Sequence, residues 1–419
     1  MTNHIFCTVA VVGGGPAGLA AACAAAKAGA EKVVVVERDA FPGGILRQCI
    51  HPGFGLSLFK EELTGPEYAA RFIEEAGHFN IEFLTDSMAL EAGNGRVLCV
   101  NPHNGMTEIT AKSLVLSMGC RERTRGNLRI PGTRPAGIYT AGSAQKLINR
   151  QNLMVGKKIV ILGSGDIGMI MARRLTLEGA KIEAVVEILP YLAGLTRNRV
   201  QCLDDFGIKL LLSHTVTEIH GEGRVKGVKI ARVDGERRPI PGIEEEIECD
   251  TLLLSVGLIP ENELTRSASI LMDPITNGPV VNQFMQTSDE SVFACGNVLH
   301  VNDLVDNVSC ESARAGMFAA RHSTGGLTIP YGEVHCRPGN LIRYVCPQKL
   351  VLADDERNIA LYFRLTKPVK AVRFSILQNG ATLVSRKARR GTPGEMEHLD
   401  VPLCKLRPGE LTLEACEEE

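Results

Sequence analysis

A thiol and an imidazole stand two residues apart, at Cys49 and His51, inside the stretch FPGGILRQCIHPGFG that runs from Phe41 to Gly55. An imidazole, with an unperturbed pKa of about 6.5, can hold or release a proton at neutral pH. A thiol becomes a nucleophile when its surroundings lower its pKa. The bland alternative is a histidine that caps or packs its loop beside an inert buried thiol. Which reading holds depends on the elements placed around the pair.

The segment just before it, TVAVVGGGPAGLAAACAAAKAGAEKVVVVERD, reads as strand, glycine turn, alanine-rich helix and strand. Gly13, Gly15 and Gly18 form a GxGxxG. In such a turn the first glycine permits the tight bend, the second lets backbone approach a pyrophosphate, and the third allows the helix to pack on the strand. The unpaired N–H groups and positive dipole end of the helix then face the phosphates. Glu37 ends the second strand, where a carboxylate accepts the hydroxyls of an adenosine ribose. A second copy, KKIVILGSGDIGMIMARRLTLEGAKIEAVVEILP, carries Gly163, Gly165 and Gly168 and ends on Glu187. First glycine and acid are 24 residues apart in both copies (37 − 13 and 187 − 163). One GxGxxG is a weak signal, whereas two between strands, each with an acid at the same spacing, form a strong one. A carboxylate at the ribose 2′-position repels a 2′-phosphate, so the second site is expected to favour NADH over NADPH.

The rest of the chain narrows the class. Its 419 residues exceed one compact core and predict two or three domains. A formal net charge of −2 gives no electrostatic footprint for nucleic acid or an anionic membrane. The apolar run from Val9 to Ala30 is broken by glycines, a proline and Lys27, which predicts a buried strand-turn-helix and no transmembrane segment. The N-terminus has no basic region or cleavage site of a secretory signal, so a cytoplasmic location is expected. No two of the thirteen cysteines lie closer than ten residues, which predicts neither a metal site, an iron–sulfur cluster nor a disulfide framework. Glu61, Glu62 and Glu67 read as a solvated helix start, and Arg121, Glu122, Arg123 and Arg125 as a salt-bridged crossover turn. After Tyr331, period-two alternation with Asn379-Gly380 between two runs predicts a type I′ hairpin in a small antiparallel β domain.

Two such units in one chain resemble the two-dinucleotide-binding-domain flavoproteins of the pyridine nucleotide-disulfide oxidoreductase superfamily. Three further segments support this: AKSLVLSMGCRERTRGNLRIPG, CDTLLLSVGLIPENEL and TSDESVFACGNVLHVNDLVDNVSCESARAG. The resemblance implies an α/β fold of two Rossmann-like FAD/NAD(P)-binding domains, the NAD domain inserted in a discontinuous FAD domain. It places FAD in 1–120 and 285–330, NAD in 121–284, and a β-rich C-terminal domain for docking or oligomerisation in 331–419. To FAD it assigns Gly13, Gly15, Pro16, Ala17, Gly18, Glu37, Arg38, Gly44, Ser117, Gly119, Gly296, Asn297 and Ser309. To NAD it assigns Gly163, Gly165, Asp166, Ile167, Gly168, Glu187 and Gly257. Asn297 stands where most members carry an aspartate.

The family's disulfide reductases carry GGxCxxxxC. Laid on Gly43-Gly44, that pattern puts Leu46 and His51 at the two cysteine positions. A dithiol relay is therefore not expected, and flavin electrons must pass directly elsewhere. The stretches GGILRQCIHPGFGLSLFKEELTGPEYAARF and GCRERTRGNLRIPGTRPAGIYTAGSAQ resemble a subgroup found beside glycerol-3-phosphate dehydrogenases, and flavin subunits of proline, hydroxyproline and opine dehydrogenases. This implies an FAD-dependent NADH:acceptor oxidoreductase that exchanges electrons with a second dehydrogenase subunit, with His51 and Cys49 as candidate catalytic residues. Two alternatives stay open: a self-contained NADH oxidase or peroxidase using Cys49, and an FAD-binding electron-transfer subunit that does not use NADH.

Overall fold

The computed structural model describes residues 2–327, 332–352 and 357–418. It divides into two compact units, Met1–Cys120 with Pro260–Glu419, and Arg121–Ile259.

In the first unit the strands Asn3–Val12, Val33–Val36 and Ile81–Leu84 run parallel, with Gly105–Leu116 on the other side of Asn3–Val12. Val292–Ala294 returns late in the chain to pair in parallel with Leu114–Leu116, while Met88–Gly93 and Arg96–Asn101 form an antiparallel extension. Val9, Val11 and Val33 to Val35 are fully buried, as unbroken apolar strands covered on both faces must be. Each such side chain contributes about 1.5–3 kcal/mol of transfer free energy. The helix Pro16–Lys27 presents alanines to the helix Val305–Ser323. Their backbones meet so closely that a Cβ on Gly316 would lie 1.9 Å from Ala21 O.

This unit resumes at Pro260, earlier than residue 285, where the motifs put the boundary. The reason is packing. Ile270, Val281, Phe284 and Met285 share one core with Val9 to Val12, and Asn262 Nδ2 donates to Asn277 O and Val298 O, each at 2.8 Å.

The second unit has a five-stranded parallel sheet in the order Ile138–Thr140, Thr251–Leu254, Lys158–Leu162, Lys181–Glu187, Leu210–Leu212. An antiparallel meander of His214–Gly221, Val225–Arg232 and Glu245–Glu248 is attached to it. Backbone groups take part in the crossover turn. Glu122 accepts from Gly142 N at 2.8 Å, and Arg125 donates to the carbonyls of Ile130 and Gly132, both at 3.1 Å.

Among the described residues, eight strands between Glu333 and Glu417 make the C-terminal β region, which belongs to the first compact unit while keeping an apolar core of its own around Phe363 and Phe374. Residue 331, its expected start, lies outside the described residues. The hairpin at Asn379-Gly380 forms as expected, with φ of 53° and 78° and Gln378 opposite Ala381. The region is not wholly antiparallel, because Glu333–Pro338 pairs in parallel with Gly409–Glu417. Among the described residues no helix is long and apolar enough to cross a membrane, and no group of His, Cys, Asp or Glu is arranged to hold a metal ion.

Candidate cofactor sites

Both glycine turns are built to the same plan. Gly13 has φ 102°, and its N–H donates to Val36 O at 2.8 Å; Gly163 has φ 99° and donates to Val186 O at 2.7 Å. A Cβ on Gly13 would lie 2.6 Å from Ser117 O, and one on Gly163 2.1 Å from Ser255 O. A Cβ on Gly18 would fall 1.8 Å from Gly13 O, and one on Gly168 2.7 Å from Ser255 Cβ. The first and third glycines are thus demanded by the protein's own packing. The second differs between the copies: a Cβ on Gly15 would meet nothing nearer than Gly44 Cα at 3.9 Å, whereas one on Gly165 would come 3.2 Å from Ser255 Oγ. Neither helix has a side-chain cap at Gly15 or Gly165, so both helix starts can face an anion, although in the second Gly168 N already donates to Ser255 Oγ. This cradle fits a dinucleotide pyrophosphate.

The two acids are also held alike. Glu37, buried, accepts from Gly14 N through one carboxylate oxygen and from Asp39 N through the other, each at 2.8 Å. Glu187, buried, accepts from Ser164 N (2.8 Å) and Ser164 Oγ (2.7 Å) through one oxygen and from Leu189 N (2.8 Å) through the other. Each carboxylate is therefore fixed beside its glycine turn while keeping lone pairs for further donors. A strap then crosses each turn: Gly43 N donates to Gly14 O at 2.7 Å, and Gly194 N to Ser164 O at 3.1 Å. Gly44, at φ 52°, sits with its would-be Cβ 2.9 Å from Gly15 Cα.

Around the first turn, Ser117 Oγ donates toward Val12 O and Gly13 O, each at 2.9 Å, and so braces the turn. Gly119 has φ 72° and open space about it. Gly296, at φ 74°, presses on Ala17, with a would-be Cβ 2.7 Å from Ala17 Cβ. The Asn297 side chain accepts from Asn302 N at 3.0 Å and donates to Cys120 Sγ at 3.5 Å. Ser309 Oγ accepts from Tyr68 OH at 2.8 Å and keeps its own O–H to donate, and Arg38 is exposed. In the second unit Asp166 Oδ1 accepts from Leu195 N (2.8 Å) and Asn198 Nδ2 (2.7 Å), tying down the strap. Ile167 follows it in the first helical turn, and Gly257, at φ 100°, accepts from Arg123 N at 3.2 Å.

Cys49 is buried, its Sγ donates to Ile45 O at 3.3 Å, and burial pushes its thiol up to about 12. His51 Nδ1 lies 3.1 Å from Pro52 O and its ring packs on Phe54 at 5.0 Å. The loop beyond is held by Asp306, which accepts from Gly55 N (3.2 Å), Ser57 N (2.7 Å) and Leu58 N (3.3 Å). Asp306, Glu311 and His300 carry no motif or spacing signal in the sequence. Ser255 was legible: SMG at 117–119 and SVG at 255–257 repeat the same S-x-G, and Ser255 Oγ accepts from Gly168 N at 3.1 Å.

Fold and cradles define a protein with two dinucleotide-binding units. The model of the pyridine nucleotide-disulphide oxidoreductase family matches residues 7–319, and the chain belongs to that family of FAD-dependent NAD(P)H oxidoreductases. It is similar to a glutamate synthase [NADPH] small chain of Halomonas elongata, 27% identical over 74% of this chain and 66% of the relative. It is also similar to hydrogen cyanide synthase subunit HcnB of Pseudomonas protegens, 23% identical over 69% and 65%. The chain thus spans just under two thirds of these relatives' length. Among solved structures, thioredoxin reductase of T. acidophilum shares the fold over 76% of this chain and 99% of its own, with TM-score 0.62 and 23% identity.

Proposed function

We propose that this chain is an NADH:acceptor oxidoreductase that holds FAD at the first cradle and NADH at the second and passes electrons to a partner protein, without a dithiol relay. The observation that carries this reading is the pair of matched cradles in a chain whose thirteen cysteines are all free and whose GGxCxxxxC positions hold Leu46 and His51. When bound, FAD supplies a two-electron acceptor for hydride from the nicotinamide. The chain's own contribution is to bind and orient: helix starts for the pyrophosphates, and Glu37 and Glu187 for the riboses. The buried Glu187 carboxylate favours NADH over NADPH by repelling a 2′-phosphate.

Two relatives are named as a small chain and a subunit, which supports work within an assembly. The motif resemblance at Gly43–Phe72 and Gly119–Gln145 favours a second dehydrogenase, of the glycerol-3-phosphate kind, as partner, with the β region from 331 as a docking or oligomerisation surface. Free thiols throughout suit a reducing compartment, and we place the chain in the cytoplasm. The peroxidase alternative draws little support, because a thiol raised by burial has no thiolate to offer a peroxide.

Anaerobic titration of the flavin-loaded protein with NADH tests the reading. Stoichiometric bleaching of the visible flavin band is expected. A protein that retains FAD and is not bleached by NADH would refute it, and would favour the electron-transfer subunit that does not use NADH.

A further inference from the structure

The turn after Val292–Ala294 is gripped from two sides. From the helix Val305–Ser323, Glu311 accepts from Gly296 N at 2.8 Å through one carboxylate oxygen and contacts His300 Nε2 at 2.7 Å through the other. Glu311 and His300 are 2% and 1% exposed, so this is a fully desolvated pair. A carboxylate facing Nε2 selects the tautomer with its proton there. The same carboxylate holds Gly296 down on Ala17, the second residue of the helix that follows the first glycine turn.

The other side is the β region. Tyr344 and Tyr362, on the strands Ile342–Cys346 and Asn358–Leu365, close over His300 with ring centroids at 6.0 and 6.1 Å. Arg364, on the second of these strands, donates to Val301 O at 3.0 Å and pairs with Asp303. The other Asp303 oxygen accepts from Met396 N at 2.6 Å. Gly296, His300, Val301 and Asp303 are therefore held between Glu311, one of two buried acids on the helix, and a β layer that supplies an arginine and two aromatic rings.

We propose that the C-terminal β region is a cofactor clamp: through His300 and Arg364 it fixes the Gly296-Asn297 turn against the first glycine cradle, with Glu311 as the positioning residue, and so governs FAD retention. The proposal rests on the reading that this turn faces FAD. It gives the β region a role inside its own chain, independent of any docking surface. Glu311 acts by holding the Gly296 backbone and by pairing Nε2 of a buried imidazole.

The test uses the full-length holoprotein. Glu311→Ala is expected to speed FAD release in a chaotropic salt at least tenfold and to shift the visible flavin band, with NADH affinity unchanged. Glu311→Gln, which keeps an acceptor for Gly296 N, is expected to restore most of the retention. Arg364→Met combined with Asp303→Asn removes the second grip without stranding a buried charge, and is expected to speed release about threefold, half the free-energy effect of a tenfold change. If Glu311→Gln and the double variant fold normally, and both these and Glu311→Ala keep wild-type release rates and flavin spectra, the clamp is refuted and FAD binding stands. If the wild-type protein itself binds no FAD, both the clamp and the cofactor reading fall.

Discussion

Removing the charge at Glu187 should change which nicotinamide cofactor the second unit accepts. Glu187 is 3% exposed and accepts three hydrogen bonds, from Ser164 N, Ser164 Oγ and Leu189 N. A carboxylate and a 2′-phosphate about 4 Å apart repel by about 1 kcal/mol per charge pair in bulk water, and about 4 kcal/mol at the effective dielectric of a protein surface. The phosphate carries nearly two charges. With solvent screening, a preference for NADH of at least tenfold in Kd is expected, about 1.4 kcal/mol. Glu187→Gln removes the repulsion but places an amide N–H₂ against at least one existing donor, at a cost of about 1–3 kcal/mol. The second unit should therefore melt earlier, while the NADPH-to-NADH Kd ratio collapses to within about threefold. Calorimetric titration of both nucleotides into wild type and variant measures the ratios. Equal wild-type affinities, or a ratio that Glu187→Gln leaves untouched, would show that the buried carboxylate does not select the cofactor.

Three more outcomes follow from the same geometry. Gly18→Ala puts a methyl 1.8 Å from Gly13 O and must displace the turn; purified protein should be largely colourless, whereas Gly29→Ala, with nothing within 4 Å but φ 96°, should cost about 1 kcal/mol and keep its flavin. Under native conditions a thiol reagent should react quickly with the exposed Cys404 and Cys416 and slowly with the buried Cys49. Burial also raises Cys23, Cys249, Cys295 and Cys336 to about 12, as it does Cys49. In the unfolded chain these thiols ionise from about pH 9, so the unfolded state binds fewer protons and stability should fall between about pH 9 and 12, measurable as denaturant midpoints at pH 8 and pH 10. Asp306→Ala removes the acceptor of three backbone N–H groups at Gly55, Ser57 and Leu58; a loss of about 2–3 kcal/mol and faster proteolytic cleavage near residue 56 are expected, and unchanged cleavage would argue against a structural role.

The sequence by itself determined the two cradles. A GxGxxG between apolar strands with an acid 24 residues on is a local constraint, because glycine positions and strand ends are set by short-range sterics within one βαβ unit. Repetition made the assignment specific. The missing cysteine pair was equally legible, since it depends on residue identity at fixed offsets. The NG hairpin was readable too, because two adjacent residues with positive φ are a local property.

Tertiary structure alone decided what surrounds the cradles. Cys49 was a candidate nucleophile by type, and only its burial, which raises the thiol, argues for an inert one. Only the fold set Tyr68, 241 residues away in the chain, against the Ser309 hydroxyl. Arg364 and Asp303, or Asp306 and Gly55, meet across separations of 61 and 251 residues with no periodicity or spacing to announce them. Local rules fix where a backbone can bend and which face is apolar. Which buried acid finds which donor is settled only when distant segments pack and each desolvated polar group must be paired.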